Sequence, residues 1–220
     1  MNKHDLLYRI FGYVLSGQDV FGIMPTGGGK SICYQIPALM LPGITLVISP
    51  LISLMQDQVA ALKTAGVPAA YINSTLSGLQ VQAVYRNLLA GRYKIVYVAP
   101  ERLDYTGFSG IVQRLSISFL AVDEAHCISQ WGQDFRPSYL RIVDFIYSLP
   151  YRPVVGAYTA TATVQVRQDV EKILGLKQPV RAVTGFDRPN LFFDVIHPEL
   201  KDRELKRLLT ERRGKCGIIY

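Results

Sequence analysis

Apolar runs and helically spaced apolar positions alternate along nearly the whole chain. The runs fall at Val20 to Met24, Ile44 to Ser49, Ala69 to Ile72, Tyr93 to Ala99, Phe119 to Val122, Val154 to Thr159 and Arg181 to Thr184. Between them the spacing predicts helices near 30–41, 51–65, 77–90, 108–115, 138–148 and 163–174. Apolar runs separated by helices are the pattern of strands buried on both faces. The expectation is therefore an α/β fold, with a mostly parallel sheet covered by helices on both sides. Gly66 and Gly91 each follow a helical stretch, where a glycine can end it.

After Gly185 the pattern changes. Asp187-Arg188-Pro189-Asn190 reads as an ordered connector, Leu191 to Ile196 as a strand, and Leu200 to Arg213 as a basic amphipathic helix. The chain closes on a strand-like run, Gly217-Ile218-Ile219-Tyr220. An apolar strand without a following partner belongs to a larger sheet. The expected organisation is a first domain over 1–185, a connector over 186–190 and the truncated opening of a second domain over 191–220.

Composition narrows the class. Of the 220 residues, 49% are hydrophobic, enough for a well-filled core. No run of about 18 apolar residues exists to cross a membrane, and the N-terminus lacks a charged-then-apolar leader pattern. No membrane partner is expected, and the expected location is cytoplasmic, nucleoid-associated in a bacterium. Cys33, Cys127 and Cys216 lie far apart, so they read as separate thiols rather than a disulfide framework or zinc site. The net charge of +7 is uneven: residues 61–120 hold six Lys/Arg against two Asp/Glu, and residues 181–220 hold nine against six. Clustered positive charge suits a polyphosphate partner such as nucleic acid, although a solvated surface produces the same excess.

One stretch carries specific chemistry. Met24-Pro25-Thr26-Gly27-Gly28-Gly29-Lys30-Ser31 lies between an apolar run and a helical segment. A phosphate-binding loop requires that context: glycines let the backbone turn and aim N–H groups inward, and the helix N-terminus adds positive potential. Thr26 to Ser31 (Thr26, Gly27, Gly28, Gly29, Lys30 and Ser31) are thus the candidate nucleotide-binding residues, with Lys30 as the charge for the outer phosphates and the Ser31 hydroxyl for Mg²⁺. Met24 stands where the common pattern has its first glycine, so the match is to the P-T-G-x-G-K-S variant. A second element, Phe119 to Val122, runs into Asp123-Glu124-Ala125-His126. At the carboxyl end of a parallel strand these side chains face the loop. Asp123 is placed to hold Mg²⁺, and Glu124 to orient or deprotonate an attacking water. The catalytic candidates are Lys30, Asp123, Glu124 and His126, and the cofactors implied are ATP and Mg²⁺.

The loop and the Asp-Glu-Ala-His run together resemble a superfamily 2 helicase of the DEAH-box kind. The surrounding words resemble RecQ-type DNA helicases: M-P-T-G-G-G-K-S-I-C-Y-Q (24–35), S-P-L-I-S-L-M-Q-D-Q-V (49–59), V-A-P-E-R-L (98–103), H-C-I-S-Q-W-G-Q-D-F-R-P-S-Y (126–139), T-A-T-A-T (159–163) and F-D-R-P-N-L (186–191). The resemblance implies a RecA-like P-loop domain and 3′–5′ unwinding of DNA driven by ATP hydrolysis, in repair or recombination. It also implies that Ser49, Pro50 and Gln56 contact the single strand, and that Thr159 and Thr161 link nucleotide site to DNA. Trp131, Phe135 and Arg136 follow the acids directly, and aromatic faces with an arginine suit unpaired bases and phosphate. A buried aromatic anchor is the other reading of that loop. The family's F-R-x-x-Q, whose glutamine reads adenine, has no counterpart at Lys3 to Leu7, so weak discrimination of ATP from GTP is expected. The alternative to a helicase motor is a truncated nucleotide- and DNA-binding module with little or no unwinding.

Overall fold

The computed structural model describes residues 3–104, 106–183 and 191–219. Seven strands, β1 (Val20–Ile23), β2 (Ile44–Ile48), β3 (Ala69–Ile72), β4 (Ile95–Val98), β5 (Ile117–Val122), β6 (Val154–Thr159) and β7 (Val180–Val183), form one sheet in the order β3-β4-β2-β5-β6-β1-β7. Every pairing is parallel. The helices between them are α1 (Lys3–Leu15), α2 (Lys30–Met40), α3 (Ile52–Thr64), α4 (Gly78–Leu89), α5 (Thr106–Val112), α6 (Arg141–Ser148) and α7 (Val164–Ile173).

Successive strand residues point to opposite faces, and two cores follow from that alternation. Leu46, Ile48, Val96, Val98, Leu120 and Val122 pack with apolar residues of α4 to α7. Their neighbours Val47, Ile95, Tyr97, Phe119 and Ala121 pack with α1, α2 and α3. Because both faces are covered, the central strands carry no polar alternation, which explains their continuous apolar runs. All strands point the same way, so the segments after β1, β2, β4, β5 and β6 gather at one sheet edge, where such folds bind ligands.

The expected glycine stops are present. Gly66 and Gly91 take φ of 77° and 67°. The N–H of Val67 donates to the Leu62 carbonyl and that of Arg92 to the Asn87 carbonyl, so orphan carbonyls of α3 and α4 are satisfied. Pro37 inside α2 has no N–H to give the Cys33 carbonyl. The Tyr158 hydroxyl donates to that carbonyl at 3.5 Å, tying α2 to β6.

Helix α1 adds to the expected elements; its Leu6, Ile10 and Val14 repeat every four residues and are buried. A buried clasp below the sheet is a second addition. Asp19 is 2% exposed, pairs with Arg152, and accepts N–H bonds from Val155 at 2.9 Å and Lys177 at 2.7 Å. One carboxylate thus joins the starts of β1 and β6 to the approach to β7.

Residues 187–220 form a separate unit. It contains helix α8 (Lys201–Glu211), matching the basic helix expected there, with no buried residue. The strands expected at 191–196 and 217–220 are not formed over the described residues 191–196 and 217–219. Strand structure requires a hydrogen-bonded neighbour, and the described residues offer these segments none. The expected connector at 186–190 lies outside the described residues, and so does Thr184 at the end of the β7 run.

Candidate active site

The phosphate-loop candidate leaves β1 at Met24 and enters α2 at Lys30. Gly27 and Gly29 have φ of 75° and 96°, in the left-handed region open to glycine. Gly28 is required for space: a Cβ there would stand 2.6 Å from the Pro25 carbonyl oxygen, which accepts the Gly28 N–H at 2.8 Å. No side chain caps α2 at Gly29, so its N-terminal N–H groups face the loop with the helix dipole behind them. This cradle fits the phosphates of a nucleotide.

The acids enter from β5. Asp123 is 4% exposed and accepts the Glu124 N–H at 3.0 Å. Burial, then the charge of Glu124, pushes its pKa up to about 6, against the pull of Lys30. A buried carboxylate lacking a full counter-charge fits a divalent cation, and half-buried Ser31, the second residue of α2, carries a hydroxyl that could serve as an oxygen ligand. Glu124 follows in a left-handed conformation, φ 46° and ψ 47°, which is strained for a residue with a Cβ. Its Oε1 lies 3.4 Å from Lys30 Nζ and its Oε2 lies 3.3 Å from His126 Nδ1. Burial opposes its ionisation, but the His126 hydrogen bond and the Lys30 charge together outweigh burial and hold its pKa below the ordinary carboxylate value.

His126 extends the line. Its Nδ1 stands 2.8 Å from Thr159 Oγ1, and the Thr159 hydroxyl donates to the Thr161 carbonyl at 3.0 Å. The hydroxyl's single proton is then spent, so His126 is the donor to Thr159. Lys30, Glu124, His126, Thr159 and Thr161 form one polar chain from the loop to the end of β6.

The expected DNA-facing residues divide by exposure. Trp131 is 74% exposed and Thr161 is exposed, while Phe135, Arg136, Pro50 and Gln56 are half-buried. Ser49 departs from the expectation of a surface contact: it is 1% exposed, directly after β2. The exposed residues that follow it are Leu51 and, in the first turn of α3, Ser53. Arg136 is held by two partners that the sequence did not suggest. Its guanidinium donates to Asp134 Oδ2 at 2.7 Å and to the Pro50 carbonyl at 3.1 Å, joining the segment after the acids to the loop after β2. Tyr139, fully buried, donates to the Asp123 carbonyl at 2.8 Å and anchors the same segment. Asp134 and Tyr139 lie within the 126–139 word, so their proximity to the acids was the signal available.

Comparison with known proteins agrees with this geometry. The chain is 49% identical to the ATP-dependent DNA helicase RecQ of Bacillus subtilis over 98% of its length, and 44% identical to the ATP-dependent DNA helicase Q5 of Mus musculus over 94%. It spans 39% of the first relative and 23% of the second. The Hef helicase domain of Pyrococcus furiosus shares the fold, with a TM-score of 0.62 at 17% identity, over 80% of this chain and 37% of that one. The pattern of the DEAD/DEAH box helicases matches residues 8–170, and the chain belongs to that family.

Proposed function

We propose that this chain is the nucleotide-binding motor domain, with the opening of a second domain, of a RecQ-type ATP-dependent DNA helicase. The observation that carries the reading is the polar chain from Lys30 through Glu124 and His126 to Thr159 and Thr161, because it joins a phosphate cradle to an exposed residue beyond β6. Resemblance to curated DNA helicases supports DNA as the partner.

The roles follow from chemistry. The backbone of Thr26 to Gly29 and the start of α2 bind the β- and γ-phosphates of ATP, and Lys30 places a full charge on them. Ser31 and Asp123 would hold Mg²⁺, which supplies charge neutralisation on the phosphate oxygens. Glu124, ionised by its partners, orients and deprotonates the attacking water. His126 donates to Thr159 and so senses the segment after β6. Trp131, with Phe135 and Arg136 behind it, offers a stacking surface to unpaired bases, and Arg136 ties that surface to Pro50. Gln56 and Thr161 supply polar contacts to the strand.

The test is steady-state ATP hydrolysis with and without single-stranded DNA. Stimulation by DNA that vanishes in Glu124→Gln is expected. Hydrolysis indifferent to DNA would remove the link between nucleotide site and DNA on which this reading rests.

A further inference from the structure

The loop that presents Trp131 hangs from a buried hydroxyl that the roles above do not use. Ser129 is fully buried, and its Oγ accepts the Trp131 N–H at 3.2 Å. A serine hydroxyl has one proton to give, and here it goes to Asp169 Oδ2 on α7 at 2.6 Å. The backbone of Ser129 adds two further holds. Its N–H donates to the His126 carbonyl at 3.2 Å, and its carbonyl accepts the Gly132 N–H at 2.9 Å. Gly132 is packed so closely that a Cβ there would stand 2.3 Å from that same His126 oxygen. The loop thus closes on itself through its backbone, and the Ser129 side chain fastens it to α7.

Asp169 is itself held in place. Its second oxygen accepts from the Gln165 amide one turn earlier at 3.1 Å, and its helix neighbours Val166 and Val170 share a core with Ala125, Cys127 and Ile128. The helix begins beside the site. Thr163, two residues after Thr161, caps α7 by accepting the Val166 N–H at 3.3 Å. Two lines therefore run from the segment after β5 toward α7: His126 to Thr159 and Thr161 just before its start, and Trp131 through Ser129 to Asp169 at its middle. A hydrogen bond to an ionised acceptor is roughly twice as strong as a neutral one, and a buried hydroxyl has no water to replace it. A pull on Trp131 is thereby passed to the helix that follows Thr161.

We infer that Asp169 is a positioning residue for DNA-dependent hydrolysis: through Ser129 it holds the Trp131 backbone in register with the segment that follows β6. The inference rests on the proposed stacking of unpaired bases on Trp131.

Asp169→Ala removes the acceptor, and Asp169→Asn restores an uncharged one. Trp131 is the chain's single tryptophan, so its fluorescence anisotropy reports the loop directly. In the full chain, Asp169→Ala should lower that anisotropy and reduce the kcat of ATP hydrolysis stimulated by single-stranded DNA about tenfold, the weight of a hydrogen bond to a charged group. The KM for ATP and the hydrolysis without DNA should stay at their wild-type values. Asp169→Asn should recover most of both losses. Stimulation that survives in Asp169→Ala, an anisotropy that does not move, or an equal loss of hydrolysis with and without DNA would each overturn the role. A wild type whose hydrolysis ignores DNA would instead remove the proposed coupling itself, and the inference with it. If Asp169→Ala does not fold, Ser129→Ala, which cuts the same line from the other side, must lower both the anisotropy and the stimulation, and unmoved values there also overturn it.

Discussion

The ammonium of Lys30 and the Oε1 of Glu124 stand 3.4 Å apart although 94 residues separate them in sequence. The loop's charge and the acid beyond β5 therefore share one small volume, yet their tasks differ. Lys30→Ala should weaken ATP binding roughly 10–100-fold, the weight of a charge-assisted contact. Glu124→Gln should leave binding nearly intact and lower turnover on the order of 10²–10⁴-fold, the weight of a general base. Nucleotide titration and steady-state hydrolysis separate the two. Equal ATP affinity in wild type and Lys30→Ala would sink the assignment of the loop.

Two glycines make opposite predictions. Gly28→Ala places a methyl group against the Pro25 carbonyl and must distort the loop, so nucleotide affinity should fall about tenfold or more while the melting temperature changes little. Gly12 lies inside α1 with nothing within 4 Å of where a methyl group would stand, so Gly12→Ala should stabilise the fold by about 0.5–1 kcal/mol. Nucleotide titration checks Gly28→Ala, and denaturant titration checks Gly12→Ala.

Trp131, the chain's single tryptophan, stands in solvent. Its fluorescence should be quenched readily by acrylamide and protected by single-stranded DNA. Trp131→Ala should reduce DNA-stimulated hydrolysis far more than DNA affinity, because the residue sits a few positions from Glu124 and Arg136 already fastens its loop to Pro50. Parallel loss of both would make stacking, not coupling, its contribution.

The Asp19 clasp gives a stability prediction. Arg152→Ala leaves a buried carboxylate with only backbone donors and should cost about 3 kcal/mol. Nucleotide affinity measured below the unfolding transition should be unchanged, since the clasp sits at the amino ends of the strands. A shift under about 1 kcal/mol by denaturant titration would mean that the backbone donors suffice.

Thiol reactivity should sort the cysteines. Cys216 is exposed and should label quickly, whereas Cys33 and Cys127 should wait for unfolding. Burial, then the charge of Asp134, pushes the Cys127 thiol up to about 12, so raising the pH from about 7 to about 9 should not speed its modification in the folded protein. Mass spectrometry after a timed alkylation reads each site.

Much of this was legible in the sequence because both layers write the same pattern. A strand covered on both faces must be apolar throughout, and Leu46-Val47-Ile48 or Leu120-Ala121-Val122 can be little else. The loop and the acids were legible because their chemistry requires adjacent residues. What escaped depends on distant partners. Asp19 and Arg152 are ordinary charges until the fold brings them together, and Arg136 gave no sign that a carbonyl of residue 50 would hold it. Helix α1 was written in Leu6, Ile10 and Val14 but masked by the polar Lys3-His4-Asp5 start and by Gly12. Leu191 to Ile196 failed in the other direction: β-propensity needs a neighbouring strand before it becomes structure.

The left-handed backbone at Glu124 has a consequence for how this position changes over generations. An ordinary side chain there costs about 1–2 kcal/mol relative to a conformation it prefers, and glycine would relieve most of that strain. The fold alone therefore pulls position 124 away from glutamate, and the part proposed for it in hydrolysis is what would hold it. In a copy of the gene released from that demand, drift toward glycine or asparagine at 124 should come early and should leave a sturdier protein behind.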